Sequence, residues 1–126
     1  MHWYSWLTCA SSGDTYFVVA HFSHYVTSIA YFFGGAFLVN AVPHFVSGVA
    51  GRRFPSPFAS PPGKGLSSPT VNVLWGAFNF VVAYLLILRV GPFDIHNNLD
   101  VLLVGAGALL MGINLSRWFG VVKSDS

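Results

Sequence analysis

The residues of this chain best suited to chemistry are a histidine, two neighbouring arginines and a lysine in one short stretch. His44, Arg52, Arg53 and Lys64 all lie in "PHFVSGVAGRRFPSPFASPPGKG", residues 43–65. A histidine can hydrogen-bond, titrate or bind a metal, and a guanidinium group binds phosphate or carboxylate through two parallel hydrogen bonds. Each basic residue beside an anionic membrane surface contributes about 1 kcal/mol of electrostatic attraction to the lipid headgroups. We therefore predict that the two arginines and the lysine contact lipid headgroups or another anion.

Polar side chains also interrupt the apolar runs of the chain, on helix faces that are rich in small residues. Side chains three or four positions apart share one face of a helix. Such faces either pack helices together, with amides bridging them, or line a polar cavity for a small solute, and both interpretations stay open. The three small or polar stripes are Ala36, Asn40, Pro43 and Ser47; Asn72, Gly76, Asn79 and Ala83; and Gly105, Ala108, Gly112 and Ser116. The candidates for either role are Asn40, His44, Asn72, Asn79 and Asn114.

Nucleotide and metal motifs are not found. In "PPGKGLSS" Gly65 stands where a phosphate-binding loop has serine or threonine, and in "GAGALL" Leu110 stands where a dinucleotide fingerprint has its third glycine. His21 and His24 would share a helix face, but the sequence has no glutamate and a single cysteine, which makes a zinc site a weak prediction. No carboxylate lies in the interior of an apolar run, so we predict no catalytic residue, no metal and no cofactor.

The composition indicates that membrane helices position these side chains. Of 126 residues, 8% are charged and 54% hydrophobic, and the mean hydropathy is +0.62, whereas soluble domains carry about 25% charged residues. Residues 15–51, 65–88 and 101–116 contain no charged side chain. Because a helix needs about 20 apolar residues to cross a bilayer, we predict an all-α membrane protein with three transmembrane helices.

We expect a single membrane domain, in which the first span is long enough to tilt, to protrude or to kink at Pro43. Five prolines between positions 55 and 69 exclude a helix from the loop, which we expect to be ordered against the membrane surface, with Ser68 or Thr70 capping the next helix. In an alternative interpretation, translation starts at Val26 and residues 1–25 are an upstream extension of the natural protein. The predicted segments are 1–24, external or interfacial; 25–50, first span; 51–70, basic Pro/Gly-rich loop; 71–90, second span; 91–98, external loop; 99–119, third span; and 120–126, tail.

The distribution of charge predicts the orientation. Loop 51–70 carries three basic residues and no acid, whereas the next connection carries Asp94 and is followed by Asp100. By the positive-inside rule, the N-terminus lies outside, and the basic loop and the C-terminus lie in the cytoplasm. We predict a multi-pass protein of a bacterial inner membrane. The net charge of +2 is too small to favour a nucleic-acid partner.

The run "NAVPHFVSGVAGRRFPSPF", continued by "PPGKGLSSPTVNVLWG" up to residue 76, resembles a pattern of small bacterial integral membrane proteins to which no activity is attached. In size and span number the chain also resembles bacterial diacylglycerol kinases, and in size it resembles small multidrug transporters. Both of those families depend on glutamates that this sequence does not have, so we reject both assignments.

Three functions are compatible with these patterns. The first is a non-enzymatic assembly or accessory component of the membrane, which associates with itself or with a larger membrane partner through the striped faces. The second is an oligomeric channel or carrier component for a small solute, lined by Asn40, His44, Asn72 and Asn79. The third is a membrane enzyme that uses His44 with Arg52 and Arg53.

Overall fold

Three long helices make up most of the molecule. The computed structural model describes the backbone of residues 12–124; residues 1–11, which include Cys9 and most of the predicted external segment, lie outside the described residues. Each helix is long and apolar enough to cross a membrane, over Gly13–Val49, Pro69–Arg89 and Asn98–Val122, which confirms the predicted all-helical, multi-pass class. The elements are α1 (Ser12–Val49), β1 (Phe54–Pro55), β2 (Leu66–Ser67), α2 (Pro69–Tyr84), a π-helical extension of α2 (Leu85–Arg89) and α3 (Asn98–Ser124).

The first helix is longer than the predicted first span. It begins at Ser12 and runs without interruption through the expected boundary at residue 25 and through Pro43. No charged side chain follows Asp14 before Arg52, so a continuous apolar helix is possible, and α1 also contains Pro43 without ending there. With 38 residues and a rise of about 1.5 Å per residue, α1 is about 57 Å long.

Glycine ends α1 in a defined way. Gly51 has a φ of +72°, the left-handed conformation that glycine adopts without steric cost. Its N–H donates to the Gly48 carbonyl at 3.0 Å, and the Arg52 N–H donates to the Ser47 carbonyl at 2.9 Å, the two bonds of a Schellman cap. The cap turns the chain away from α1, and the loop therefore starts at a fixed point with its two arginines.

The second helix begins as the sequence predicts. The Ser68 hydroxyl accepts from the Val71 N–H at 3.2 Å, and Pro69 occupies the first turn, where its missing N–H costs nothing. Ser68 is thus the N-cap residue, one of the two that were expected. The buried residues of α2 are Asn72, Gly76, Asn79 and Ala83, the same four residues as the predicted stripe.

The first helix is central, because α2 and α3 each pack along it. Against α3 the approach is close: a Cβ at Gly107 would overlap the Phe32 carbonyl, and one at Gly35 would overlap the Val104 carbonyl. Glycines permit this backbone-to-backbone contact between membrane helices. Against α2, Gly76 faces the backbone of Phe45.

Candidate functional site

The Pro-rich loop is folded onto the helix ends. Its two short strands pair antiparallel, with Phe54 opposite Ser67. The buried hydroxyls of Ser56 and Ser67 hydrogen-bond to each other, and the Gly63 N–H donates to the Ser56 carbonyl at 2.8 Å. The loop therefore presents a fixed surface beside the ends of α1 and α3.

Asn72 joins this loop to both α1 and α2. The side chain is fully buried, and its Nδ2 donates to the carbonyls of Phe54, Ser67 and Ser68 at 3.0, 3.3 and 3.1 Å. Its Oδ1 lies 2.9 Å from Nδ1 of His44. Because Oδ1 can only accept, the His44 imidazole carries a proton on Nδ1 and donates it to Asn72.

His44 sits where all the elements of this end of the molecule meet. Only 3% of its surface is exposed, and its ring is edge-on to Phe54, Trp75 and Phe119, with centroid distances of 5.4, 6.4 and 6.2 Å. Within residues 12–124, no three His, Cys, Asp or Glu side chains are grouped so that they could hold a metal ion. This environment, an aromatic cage with one amide partner, suits a histidine that fastens the loop to the helices.

Asn40 and Asn79 form a second polar contact between α1 and α2. Asn40 Nδ2 donates to Asn79 Oδ1 at 2.9 Å, and Asn79 Nδ2 donates to the Trp75 carbonyl at 2.7 Å. Asn79 is fully buried. In the described part of the chain, the indole N–H of Trp75 is the one buried side-chain polar atom without a hydrogen-bond partner.

Asn114 lies apart from the other four candidates. It is exposed on α3, and among the described residues no side-chain hydrogen bond of Asn114 is found. Together with Asn40, Phe33, Phe37 and Leu110 it lines a groove of about 390 Å³ along the contact between α1 and α3. The structure thus brings Asn40, His44, Asn72 and Asn79 into the α1–α2 contact and leaves Asn114 open.

The basic residues of the loop divide into two kinds. Arg53 and Lys64 line a cavity of about 230 Å³ that is otherwise apolar, with walls from the hairpin and from Phe119 near the end of α3. Arg53 Nη2 donates to the Leu66 carbonyl at 3.2 Å. Arg52 is exposed and does not line this cavity.

Trp118, near the end of α3, contacts the loop beside this cavity. Trp118 donates from Nε1 to the Gly63 carbonyl at 2.9 Å, and Lys64 Nζ lies 5.9 Å from the centre of its ring, within the range of a cation–π contact. The loop is thereby tied to α3, 55 residues away in sequence. An aromatic residue at the end of an apolar run was the only available signal.

Compared with models of known protein families, with curated proteins and with solved structures, the chain has no significant match.

Proposed function

We propose that this protein is a non-enzymatic accessory component of the membrane. It binds a further transmembrane helix along α3, and the partner that we propose is the α3 of a second copy of the chain. The observation that carries the proposal is Asn114, an exposed amide on a helix whose other exposed residues include Leu102, Leu109 and Leu110. An amide that faces hydrocarbon without a hydrogen-bond partner is costly. Another asparagine removes that cost, because an amide both donates and accepts.

A symmetric pair of copies fits this residue. A two-fold axis along the membrane normal places the same patch of each copy face to face, so Asn114 meets Asn114 of the second copy at the same depth. The four other polar candidates have partners inside the chain: Asn40 with Asn79, and His44 with Asn72. The groove between α1 and α3 that Asn114 lines is therefore the surface that supports association best.

The proposal includes the orientation and location inferred from charge. The loop with Arg52, Arg53 and Lys64 lies at the end where α1 stops, and Asp94 and Asp100 lie at the opposite end of α2 and α3. The positive-inside rule places the basic loop in the cytoplasm and the start of α1 outside, and a bacterial inner membrane is the location that the resemblance suggests.

A channel or carrier function receives less support from the geometry. Asn72 and Asn79, which would have to face the solute, are fully buried, and their amides are occupied by hydrogen bonds to Phe54, His44, Asn40 and Trp75. A conducting path would have to break these contacts. The enzyme alternative requires His44 to be accessible beside Arg52 and Arg53, and its burial among aromatic rings disfavours that role.

Self-association in a bilayer-like environment tests the proposal. The protein is to be purified in mild detergent and its mass measured by sedimentation over a range of protein-to-detergent ratios, with Cys9 replaced by serine to prevent disulfide dimers. We expect a reversible oligomer. Asn114→Leu is expected to weaken it by about 0.6 to 2 kcal/mol, the range of interhelical polar contacts in membranes.

Asn114→Gln is the matched control, because it keeps the amide and is expected to keep the oligomer. A wild-type protein that stays monomeric at every ratio would contradict self-association. A photo-crosslinker at position 110 distinguishes the partners: labelling of a second copy supports the proposal, and labelling of only a different membrane protein replaces it by a larger assembly.

A further inference from the structure

We propose that the cavity between the hairpin and the end of α3 is a binding site for one anionic phospholipid, whose phosphate is held by Arg53 and Lys64. This site is independent of the proposed association along α3. The two basic residues lie 11 positions apart, on either side of the loop, and both line the same cavity. They converge because the strands Phe54–Pro55 and Leu66–Ser67 pair.

Both cations keep free donors for an anion. Arg53 uses Nη2 to bond the Leu66 carbonyl, which fixes the guanidinium at the cavity and leaves most of its five N–H donors available. Lys64 approaches the face of Trp118, a contact that occupies none of its three N–H donors. A phosphate between the two side chains can accept from both.

No carboxylate of the described residues neutralises this end of the molecule. Asp14 lies in the first turn of α1 and Asp100 in the first turn of α3, and Asp94 lies in the connection between α2 and α3, all at the opposite helix ends. The described residues therefore give the cavity a positive rim, to which a negative headgroup is complementary.

The interior of the cavity is apolar, which favours a lipid over a free anion. Besides the two cations its lining consists of Phe54, Pro55, Leu66, Phe119 and Val122. Val122 is the last residue of the third candidate span, so the cavity lies at the edge of the membrane, at the depth of headgroups. A phosphate at the rim leaves the glycerol and the first methylenes of an acyl chain against Leu66 and Phe119. More than half of the Leu66 surface is exposed, and such a chain would cover it.

Native mass spectrometry of the purified protein tests the site. The protein is released from micelles that contain either dioleoyl-phosphatidylglycerol or dioleoyl-phosphatidylcholine, and retained lipids are counted. We expect one tightly held phosphatidylglycerol and no such retention of the zwitterionic lipid. Arg53→Gln and Lys64→Gln are each expected to lower the apparent affinity about fivefold, which corresponds to about 1 kcal/mol for each basic residue.

Arg52→Gln is the matched control, since it removes the same charge one residue away from the cavity. It is expected to change the affinity less than twofold. Equal losses for Arg52→Gln and Arg53→Gln would overturn the proposal in favour of a diffuse charge effect. Glycerol 3-phosphate is the control for the acyl chains. If the wild-type protein bound it as tightly as it binds the phospholipid, the apolar lining would contribute nothing and the proposal would be overturned. Lys64 is exposed, so Lys64→Gln gives a result even if Arg53→Gln disturbs the hairpin.

Discussion

The two contacts of α1 are built in different ways. Towards α2 it presents polar side chains: Asn40 bonds Asn79, and His44 bonds Asn72. Towards α3 it presents its own backbone, since Gly35 and Gly107 allow the two helices to touch without intervening side chains. The α1–α2 contact therefore combines close packing at Gly48 and Gly76 with hydrogen bonds of defined direction, whereas the α1–α3 contact depends mainly on shape.

The two connections between the helices also differ. The loop between α1 and α2 is irregular and proline-rich, and three of its carbonyls, those of Phe54, Ser67 and Ser68, accept from Asn72. Such carbonyls must be paired where water is absent. The connection between α2 and α3 is short, and Asn97 caps the next helix by accepting from the Leu99 N–H at 3.0 Å. Its side-chain hydrogen bonds come from Asp94, Asn97 and Asp100, which lie in the connection itself or in the first turn of α3.

Among the substitutions that test this difference between the two contacts, Gly107→Val is expected to lower the free energy of unfolding most. The new Cβ overlaps the Phe32 carbonyl, and a backbone atom cannot move aside as a side-chain end can, so α3 must separate from α1. We expect a loss of about 3 kcal/mol or more in the free energy of unfolding, measured by titration with a denaturing detergent.

Gly105→Val is the control for that measurement. Gly105 lies on the same helix, and a Cβ at this position would have no atom of the described chain within 4 Å, so the same substitution is expected to cost little. Equal losses at both positions would mean that helix propensity, and not close packing, dominates the α1–α3 contact.

Asn72→Leu is expected to have the second largest effect and to act mainly on the loop. It removes the side-chain donor for the Phe54 and Ser67 carbonyls and the acceptor for His44, while the Ser68 carbonyl keeps the backbone N–H of residue 72. Each unpaired buried group costs about 1 to 3 kcal/mol. Because some of these groups can reach water when the loop opens, we expect a net loss of about 2 to 3 kcal/mol. Cleavage by trypsin after Arg53 and Lys64 measures the opening directly.

The trypsin experiment separates the two contacts. Asn72→Leu should accelerate cleavage of the loop while α3 stays packed, and Gly107→Val should loosen α3 with a smaller change at Arg53. A loop that remains as resistant in Asn72→Leu as in the wild type would show that the aromatic contacts of His44 hold it without the amide.

The smallest expected effect is the coupling between Asn40 and Asn79. Leucine at either position removes one hydrogen bond between α1 and α2. A double-mutant cycle of Asn40→Leu and Asn79→Leu should give a coupling of about 0.6 to 1.7 kcal/mol, as for other polar pairs in membrane helices. A coupling near zero would mean that Asn79 acts only through its bond to the Trp75 carbonyl.

The buried face of α2 could be predicted from sequence because small and polar residues recur there at helical spacing while large apolar residues fill the other positions. The same rule selected Gly105, Ala108, Gly112 and Ser116 on α3, but Gly107 makes the close contact with α1 and Gly105 faces no atom within 4 Å. With glycines at 105, 107, 112 and 120, spacing alone does not identify the packed face. The choice depends on the partner helix.

The contacts that the candidate site residues make in the fold could not be predicted from the sequence either. Asn72 was a candidate, but two of its carbonyl partners, Phe54 and Ser67, depend on a hairpin that closes over ten residues without the tight-turn sequence of a short hairpin. Arg52, Arg53 and Lys64 were predicted as one group, whereas the fold brings only Arg53 and Lys64 to a common cavity. Arg53 and Lys64 converge because the strands Phe54–Pro55 and Leu66–Ser67 pair, and such a short pairing across a proline-rich loop leaves no pattern in the sequence.

Because α1 is longer than the other two helices, it extends beyond them at one end of the molecule. The connection between α2 and α3 reaches α1 near Thr27, which Gly91 contacts closely. From there back to Gly13, over about 20 Å, residues 13–26 of α1 are exposed against the rest of the described chain. This stretch carries Tyr16, Phe17, Phe22 and Tyr25, all more than 60% exposed. At one end of the molecule the basic loop is folded onto the helix ends, and at the other end α1 extends beyond α2 and α3 with exposed aromatic side chains. This extension sets a minimum distance for any neighbour that approaches the bundle from that end.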